Sequence, residues 1–321
     1  MRWHRALGLA ITALASAPAS AQDWPERSVT ILVPFAAGST PDLVARVLAD
    51  GLQARTSKPF VVENRPGASG NTATNAVAKA AADGHTLGVS ILGPLVTNPL
   101  LMTTVPYDPA KDLAPITLLA SQPSVLAVYP GLGVGTVEAL IAALRQEPDK
   151  YNFGSIGRGS LSHLAMEALA AKSGTMPVHV VFPGSPAAAT ALVRGDVHMT
   201  ILPAGSVVPL AQDGKIKLLA VTSPKRSPLL PDLPTMAEAG IAGVEADAWN
   251  GLIAPAATPP AVLARILAES RAVLAAPEAA ARLAPAFMVP VGGTTEAFRA
   301  VLAAELERWE PIIRAGRIKA E

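Results

Sequence analysis

Three times in this chain a strand-like run gives way to a turn of small residues and then to a helix that opens on a hydroxyl or a proline. That junction confines the chain to folds in which strands feed helices across a sheet. Ser28–Pro34 (SVTILVP) reads as a buried strand, Ala36–Thr40 as the turn, and Pro41–Gln53 as a helix with apolar residues at Leu43, Val44, Val47, Leu48 and Leu52. Alternation then continues. Phe60–Glu63 is a strand, Gly67–Gly70 a turn, Asn71–Ala82 a helix ended by Asp83-Gly84, and Thr86–Ser90 a third strand. Further on, strands are expected at Ser124–Tyr129, Asn152–Ser155, Val178–Phe182, Met199–Leu202, Lys217–Thr222 and Trp249–Ala254. Between them lie helices from Thr136 to Gln146, Leu161 to Lys172 and Ser185 to Arg194. Ser223–Pro234, rich in proline and serine, reads as a loop, and after Trp249–Ala254 a helix starts at Thr258-Pro259-Pro260 and runs to about Leu274. A C-terminal helix over Glu296–Arg314 places Phe298, Leu302, Leu306, Trp309 and Ile313 on one stripe, expected to pack into the core. The reading is α/β, in two blocks, with no compositional linker to part them.

The helix starts are the chemically informative feature. In Gly38-Ser39-Thr40-Pro41-Asp42, Thr40 is the expected N-cap and Pro41 the first helical residue. Ser160 is expected to cap the helix after Gly154-Ser155-Ile156-Gly157-Arg158-Gly159, and Ser185, followed by Pro186, the helix after Gly184. First turns carry unpaired N–H groups and the positive end of the helix dipole, so small residues there let an anion approach backbone. Each end contributes roughly 0.3–1 kcal/mol when exposed and up to ~2 kcal/mol when partly buried. In open α/β sheets such ligands sit at the carboxyl ends of strands. Asp42 is either a first-turn group that favours the dipole or a receiver for an ammonium group or water. Ser160 and His163, three apart, also leave an exported hydrolase open, although triads are recognised by geometry rather than spacing.

Composition narrows the field. With no cysteine among 321 residues, disulfides, iron–sulfur clusters and thiol nucleophiles are excluded. A net charge of +1 without basic runs argues against nucleic acid as a partner. Gly131-x-Gly133-x-Gly135 lacks the dinucleotide spacing, and His85, His163, His179 and His198 lack metal-ligand spacing, so no cofactor and no metal are expected. Arg2 and Arg5, the apolar Ala6–Ala15 and the small residues Ala19-Ser20-Ala21 read as an export signal over residues 1–21. Cleavage after Ala21 removes two arginines and no acid, which takes the net charge from +1 to −1. The mature chain is then expected to be a soluble periplasmic monomer.

Together these segments resemble the Bug-type receptors of tripartite tricarboxylate transporters. The resemblance rests on Val33-Pro34-Phe35-Ala36-Ala37-Gly38-Ser39-Thr40-Pro41-Asp42, on Val62-Glu63-Asn64-Arg65-Pro66-Gly67-Ala68-x-Gly70-Asn71, and on Asp83-Gly84-His85-Thr86-Leu87. It continues in Gly154-Ser155-x-Gly157-x-Gly159-Ser160, Leu219-Ala220-Val221-Thr222, Leu233-Pro234-Thr235 and Trp249-x-Gly251-Leu252. It implies a two-lobed, type II periplasmic-binding-protein fold: two doubly wound mixed sheets with a ligand cleft between them. Residues 22–121 with 244–321 would form lobe 1, and 122–243 lobe 2. It implies a carboxylate (an organic, amino or aromatic acid) delivered to membrane permease subunits, with delivery to a sensor-kinase ectodomain as the other possibility. The binding residues it implies are Phe35, Ala37, Gly38, Ser39, Thr40, Asp42, Ser90, Ser155, Gly157, Arg158, Gly159, Ser160, His163, Gly184, Ser185 and Asp196. The chain departs from the family at Phe182-Pro183-Gly184, where Tyr-Lys-Gly is usual, and at His198, where an aspartate is usual and Asp196 stands nearby. Those departures favour an apolar or aromatic acid, and Arg158 offers a charged clamp.

Overall fold

The run Val29–Val33 forms the expected first strand, β1, buried because aliphatic side chains line both of its faces. The computed structural model describes residues 24–148 and 150–319. The expected export signal, residues 1–21, lies outside the described residues.

Two mixed sheets carry the architecture, and the expected two-lobed α/β fold is what forms. In the first, β1 lies between β2 (Phe60–Asn64) and β3 (Thr86–Ser90), parallel to both. Next to β3 runs β10 (Ala248–Pro255), antiparallel, then β4 (Leu113–Gln122) and the two-residue β11 (Val289–Pro290). In the second, β6 (Asn152–Ser155) lies parallel to β7 (Val178–Val181) and β8 (Met199–Pro203). β5 (Ser124–Val128) then pairs antiparallel with β8 and with β9 (Lys217–Val221). The chain passes from one sheet to the other between Gln122 and Ser124, and returns between Val221 and Ala248. Two crossings explain why no single linker stands out in the sequence.

Helices cover the sheets. α1 (Thr40–Thr56) packs Val44, Val47, Leu48 and Leu52 onto one face of the first sheet, beside α9 (Pro260–Leu274) and α10 (Pro277–Leu283). α2 (Asn71–Ala78) and α11 (Thr295–Ala315) cover the other face. α2 ends four residues before the expected Ala82. On the α11 stripe Phe298, Trp309 and Ile313 are buried and Leu302 half-buried, but Leu306 is 42% exposed, so the stripe is only partly core. In the second lobe, α5 (Val137–Gln146) is capped by Thr136 as expected, and α6 (Leu161–Ser173) and α7 (Ser185–Arg194) follow β6 and β7.

Two expected caps move by one residue. Ser39, not Thr40, is the cap of α1, and Gly184, not Ser185, is the cap of α7. At the second, φ of +142° admits only glycine comfortably, so backbone conformation outranks hydroxyl preference. β4 was not anticipated. Its mixed run, with Pro115 inside, gains strand structure through the distant β10.

Candidate ligand-binding site

The first lobe builds its turn around a buried acid. At the start of α1 no hydroxyl caps the helix. Instead Asp42 reaches back, and its Oδ2 accepts from the Gly38 amide at 2.9 Å. Arg46, one turn on, donates to the same oxygen at 3.0 Å and lies 2.9 Å from Oδ1. Asn64, from the end of β2, donates to Oδ1 at 3.0 Å and to the Phe35 carbonyl at 2.8 Å. Burial pushes the Asp42 carboxyl up, but the bonds from Arg46, Gly38 and Asn64 outweigh it and hold the pKa below the usual range. Both oxygens are committed, so Asp42 shapes the turn from behind rather than receiving a ligand group. The Ser39 hydroxyl, by contrast, is shielded and has no hydrogen-bond partner. Among the described residues the amides of Thr40 and Asp42 also find no backbone acceptor, and Pro41 has no N–H to offer.

Two further loops brace this one. A Cβ on Gly70 would lie 2.8 Å from Pro94 and 3.2 Å from Pro34, so the loops after β1, β2 and β3 pack without room for a side chain there. Asn98 donates to the Ser69 carbonyl at 3.2 Å and to Asn71 Oδ1 at 2.7 Å. Ser90 ends β3 at the expected edge, yet it is fully buried and its Oγ lies 3.2 Å from Thr74 Oγ1. It supports the loops from beneath.

In the second lobe, Ser160 caps α6 as expected, accepting from the His163 amide at 3.3 Å and donating to the Gly157 carbonyl at 2.7 Å. Gly157 (φ +143°) and Gly159 (φ +71°) set the turn. Their amides are spent inside it: Gly157 donates to Ser155 Oγ at 3.2 Å, and Gly159 to His163 Nδ1 at 2.9 Å. These glycines therefore supply conformation rather than donors. With Nδ1 accepting, the ring proton of a neutral His163 sits on Nε2, 3.3 Å from Glu167. Neither ring nitrogen is bonded to the Ser160 hydroxyl, so the nucleophile–base pair is not assembled. His163 stacks on His179, with centroids 3.9 Å apart, and Phe153 stacks on His179 at 4.8 Å. Ser155 Oγ lies 2.6 Å from His179 Nε2. Burial, then the neighbouring His163, pushes the His179 imidazole down to about 4, so it is neutral at physiological pH.

The turn after β7 lies beside this one, since the Phe182 amide donates to the Ser155 carbonyl at 2.9 Å. Gly184 and Ser185 thus stand at the same sheet edge. Phe182 packs against Gly154, where a Cβ would meet its ring at 3.2 Å. Arg158 is exposed and is the one basic residue of the turns 35–42, 155–160 and 182–186. Asp196 is misplaced in the expected set. Its carbonyl accepts from the Asn152 side chain at 3.1 Å, at the start of β6, whereas Ser155 ends that strand. A strand rises about 3.3 Å per residue, so Asp196 belongs to the far edge of the sheet. His198, the position where the family has its aspartate, stands at that same edge, its amide donating to the Asn152 carbonyl at 3.2 Å.

The two sets of turns meet at one contact that sequence reading missed. A Cβ on Gly159 would fall 2.3 Å from Cδ1 of Leu101, which ends the short helix α3 (Asn98–Leu101) beyond β3. Asn64 and Arg46 were also missed as turn builders, although both stand within or beside the motif segments. Two cavities lie elsewhere. One of about 300 Å³ is bordered by Leu100, Leu113, Leu302 and Leu306, and one of about 280 Å³ lies at the crossings, beside Pro123, Ser223 and Asp247. Neither is lined by an expected binding residue.

With this geometry in place, comparison with known proteins is informative. Residues 44–318 match the family model described as the tripartite tricarboxylate transporter family receptor. The protein BugT of Bordetella pertussis is 34% identical over 304 residues, covering 94% of this chain and 93% of the relative. Among solved structures, Rpa4515 of R. palustris with adipate is 37% identical, with a TM-score of 0.81, 92% of this chain covered and 99% of that one. MatC (Rpa3494) from Rhodopseudomonas palustris with bound malate is 31% identical, with a TM-score of 0.76, 90% of this chain covered and 100% of that one.

Proposed function

We propose that this chain, which belongs to the tripartite tricarboxylate transporter receptor family, captures a small carboxylate between its two lobes and presents it, outside the cytoplasm, to the membrane subunits of a transporter of that type. As a receptor of that family it is a solute-binding protein, not an enzyme. The lobes are taken as 22–121 with 244–321, and 122–243; the strand ends at Gln122 and Ala248 support that division.

One observation carries the reading: α1, α6 and α7 all start at the carboxyl ends of parallel strands, on two sheets whose turns meet where Gly159 faces Leu101. A carboxylate there would meet the Ser39 hydroxyl and the free amides of Thr40 and Asp42 from one lobe. From the other it would meet the starts of α6 and α7, with Arg158 as the single charged clamp. Phe35, Ala37 and Gly38 would wall the first side, and Ser155, Gly157, Gly159, Ser160, Gly184 and Ser185 the second. Asp42, Ser90 and His163 would hold those turns in shape. Neighbours solved with adipate and with malate support a carboxylate as the solute class. A ligand that touches both lobes favours the closed arrangement by its differential affinity.

The test is a thermal-shift screen of the mature chain against carboxylic acids, adipate and malate included, with mass spectrometry of whatever co-purifies. An acid that raises the melting temperature by mass action and is recovered unchanged fits the proposal. Turnover of an ester that Ser160→Ala abolishes would sink it. Binding of the purified permease subunits, rather than a sensor ectodomain, would establish the partner.

A further inference from the structure

The proposed capture requires the lobes to move about the two crossings, and the crossings contain a carboxylate that capture alone does not explain. Crossing one is short: β4 ends at Gln122, Pro123 follows, and β5 begins at Ser124. Crossing two leaves β9 at Val221, loops through residues 222–247, and enters β10 at Ala248. Asp247 is the last residue of that loop and Ser223 stands near its start. The Ser223 hydroxyl donates to Asp247 Oδ1 at 2.7 Å. One side chain therefore engages both ends of crossing two, whose Thr222 in turn holds Ser124 at the exit of crossing one.

We propose that Asp247 is a positioning residue for capture: its carboxylate fastens the two ends of crossing two, which packs on crossing one, and so sets how the lobes close. This rests on the two-lobed capture reading. Three surrounding features fit the role. First, the second-lobe side of the tie is rigid: Thr222 donates to the Ser124 carbonyl through its amide at 2.9 Å and its hydroxyl at 3.1 Å, and Ala246 donates to the Thr222 carbonyl at 3.1 Å. Second, the first-lobe side is anchored by Trp249, two residues beyond Asp247, which donates to Glu305 of α11 at 3.2 Å. Third, Pro123 of crossing one and Ser223 and Asp247 of crossing two border one open pocket of about 280 Å³. The tie is also tunable. Burial pushes the Asp247 carboxyl up to about 6, with Glu305 adding to the rise and Ser223, Arg308 and Ser124 opposing it. The other charged groups around it are Lys225 and Arg226, which line the cavity, and Glu245, 3.8 Å from Arg308. Protonation removes the carboxylate charge, so the bond accepted from Ser223 weakens.

The experiment needs no ligand. The chain has no cysteine, so Lys79→Cys in lobe 1 and Thr190→Cys in lobe 2, both exposed, place a unique pair of spin labels. The interlobe distance distribution is measured in the unliganded chain across pH 7.5 to 5, alone and with Asp247→Asn or Ser223→Ala. The expected result is a distribution that broadens as pH falls, with a midpoint near 6. Asp247→Asn should show the broad form at both ends of the range, and Ser223→Ala an intermediate one. A narrow, pH-independent distribution in the parent overturns the proposal, and so does an unchanged pH response in Asp247→Asn. Should Asp247→Asn not fold, Ser223→Ala, which removes only the donor, decides: an unaltered distribution overturns the tie. Because no acid is added, this outcome is independent of whether the carboxylate screen succeeds.

Discussion

Replacing Gly159 with alanine separates two energies that a binding protein of this design keeps in different places. The first is backbone strain. Gly159 sits at φ +71°, and a non-glycine residue held in that region costs about 1–2 kcal/mol. That strain belongs to the second lobe and is present whether the lobes are open or closed. The second is a clash. The new Cβ would stand 2.3 Å from Leu101 Cδ1, 3.0 Å from Cδ2 and 3.2 Å from Cγ. Carbon atoms settle at about 3.5–4.0 Å, so the leucine must retreat by more than ~1 Å. Leu101 is 5% exposed and packed in the core cluster, so its freedom to turn aside is small. Overpacking of this kind typically costs about 1–3 kcal/mol. In the proposed lobe division Leu101 and Gly159 come from opposite lobes, so this second energy is expected to fall on the arrangement that brings them together.

The expected result is therefore split between two assays. Urea denaturation of Gly159→Ala should show a loss of about 1–2 kcal/mol, from strain. Titration calorimetry with the acid found by screening should show affinity weakened about 5- to 150-fold, since each 1.4 kcal/mol is a factor of ten. Leu101→Ala removes both Cδ atoms and lowers stability by its own cavity. In that background Gly159→Ala should retain its stability loss and give up most of its affinity loss. The double-mutant cycle isolates the contact. An affinity penalty of equal size in both backgrounds would refute the assignment of Leu101–Gly159 as an interlobe contact.

Other outcomes follow from the buried acids and the caps. Asp42→Ala should lower stability at pH 7 by about 1.5–3 kcal/mol, the worth of charge-assisted bonds on a buried carboxylate, discounted because Arg46 is half exposed. The folded pKa of Asp42 is depressed, so its contribution is present above the ordinary carboxylate pKa; urea midpoints of variant and parent should converge as pH falls through the folded value. Asp247 has the opposite sign. Its folded pKa is raised from 3.8 to about 6, so stability is lost as pH rises through 6. Asp247→Asn should melt higher than the parent at pH 7.5, by at most ~3 kcal/mol for a shift of about two units, and the gap should vanish below pH 4 in a calorimetric scan. Ser160→Ala should cost about 1 kcal/mol as a lost cap, read by urea denaturation, and change no hydrolytic rate.

What the sequence makes legible here is local. β1 stands out because a short run rich in apolar residues ends in residues too small to continue it, and α6 because Ser160 meets the amide its position requires. The features it hides depend on distance or direction. β4 pairs with β10 more than a hundred residues on, and Leu101 meets Gly159 across the cleft; no local pattern encodes either. Asp42 is visible as a first-turn acid, but not that its oxygens turn inward to Gly38, Arg46 and Asn64. Asp196 is likewise visible as an acid, but not that it and His198 both stand by Asn152, at the start of β6 rather than at its Ser155 end.

The inward turn of Asp42 also resolves a conflict in the electrostatics of the cleft. A free carboxylate in the first turn of α1 would favour the helix dipole yet repel the anion that the same dipole attracts. Arg46 cancels that charge at 2.9 Å, and the Gly38 amide is consumed in fixing it. The first-lobe turn is then left with the Ser39 hydroxyl and the amides of Thr40 and Asp42, neutral donors suited to a single carboxylate. The second lobe spends its glycine amides internally in the same way and keeps one charge, on Arg158. A chain with only 16% charged residues thus needs no cluster of cations to hold an acid. On the proposed reading its selectivity would come from the distance between the neutral first-lobe turn and the turn that carries Arg158, which the crossings at Pro123 and Asp247 would set.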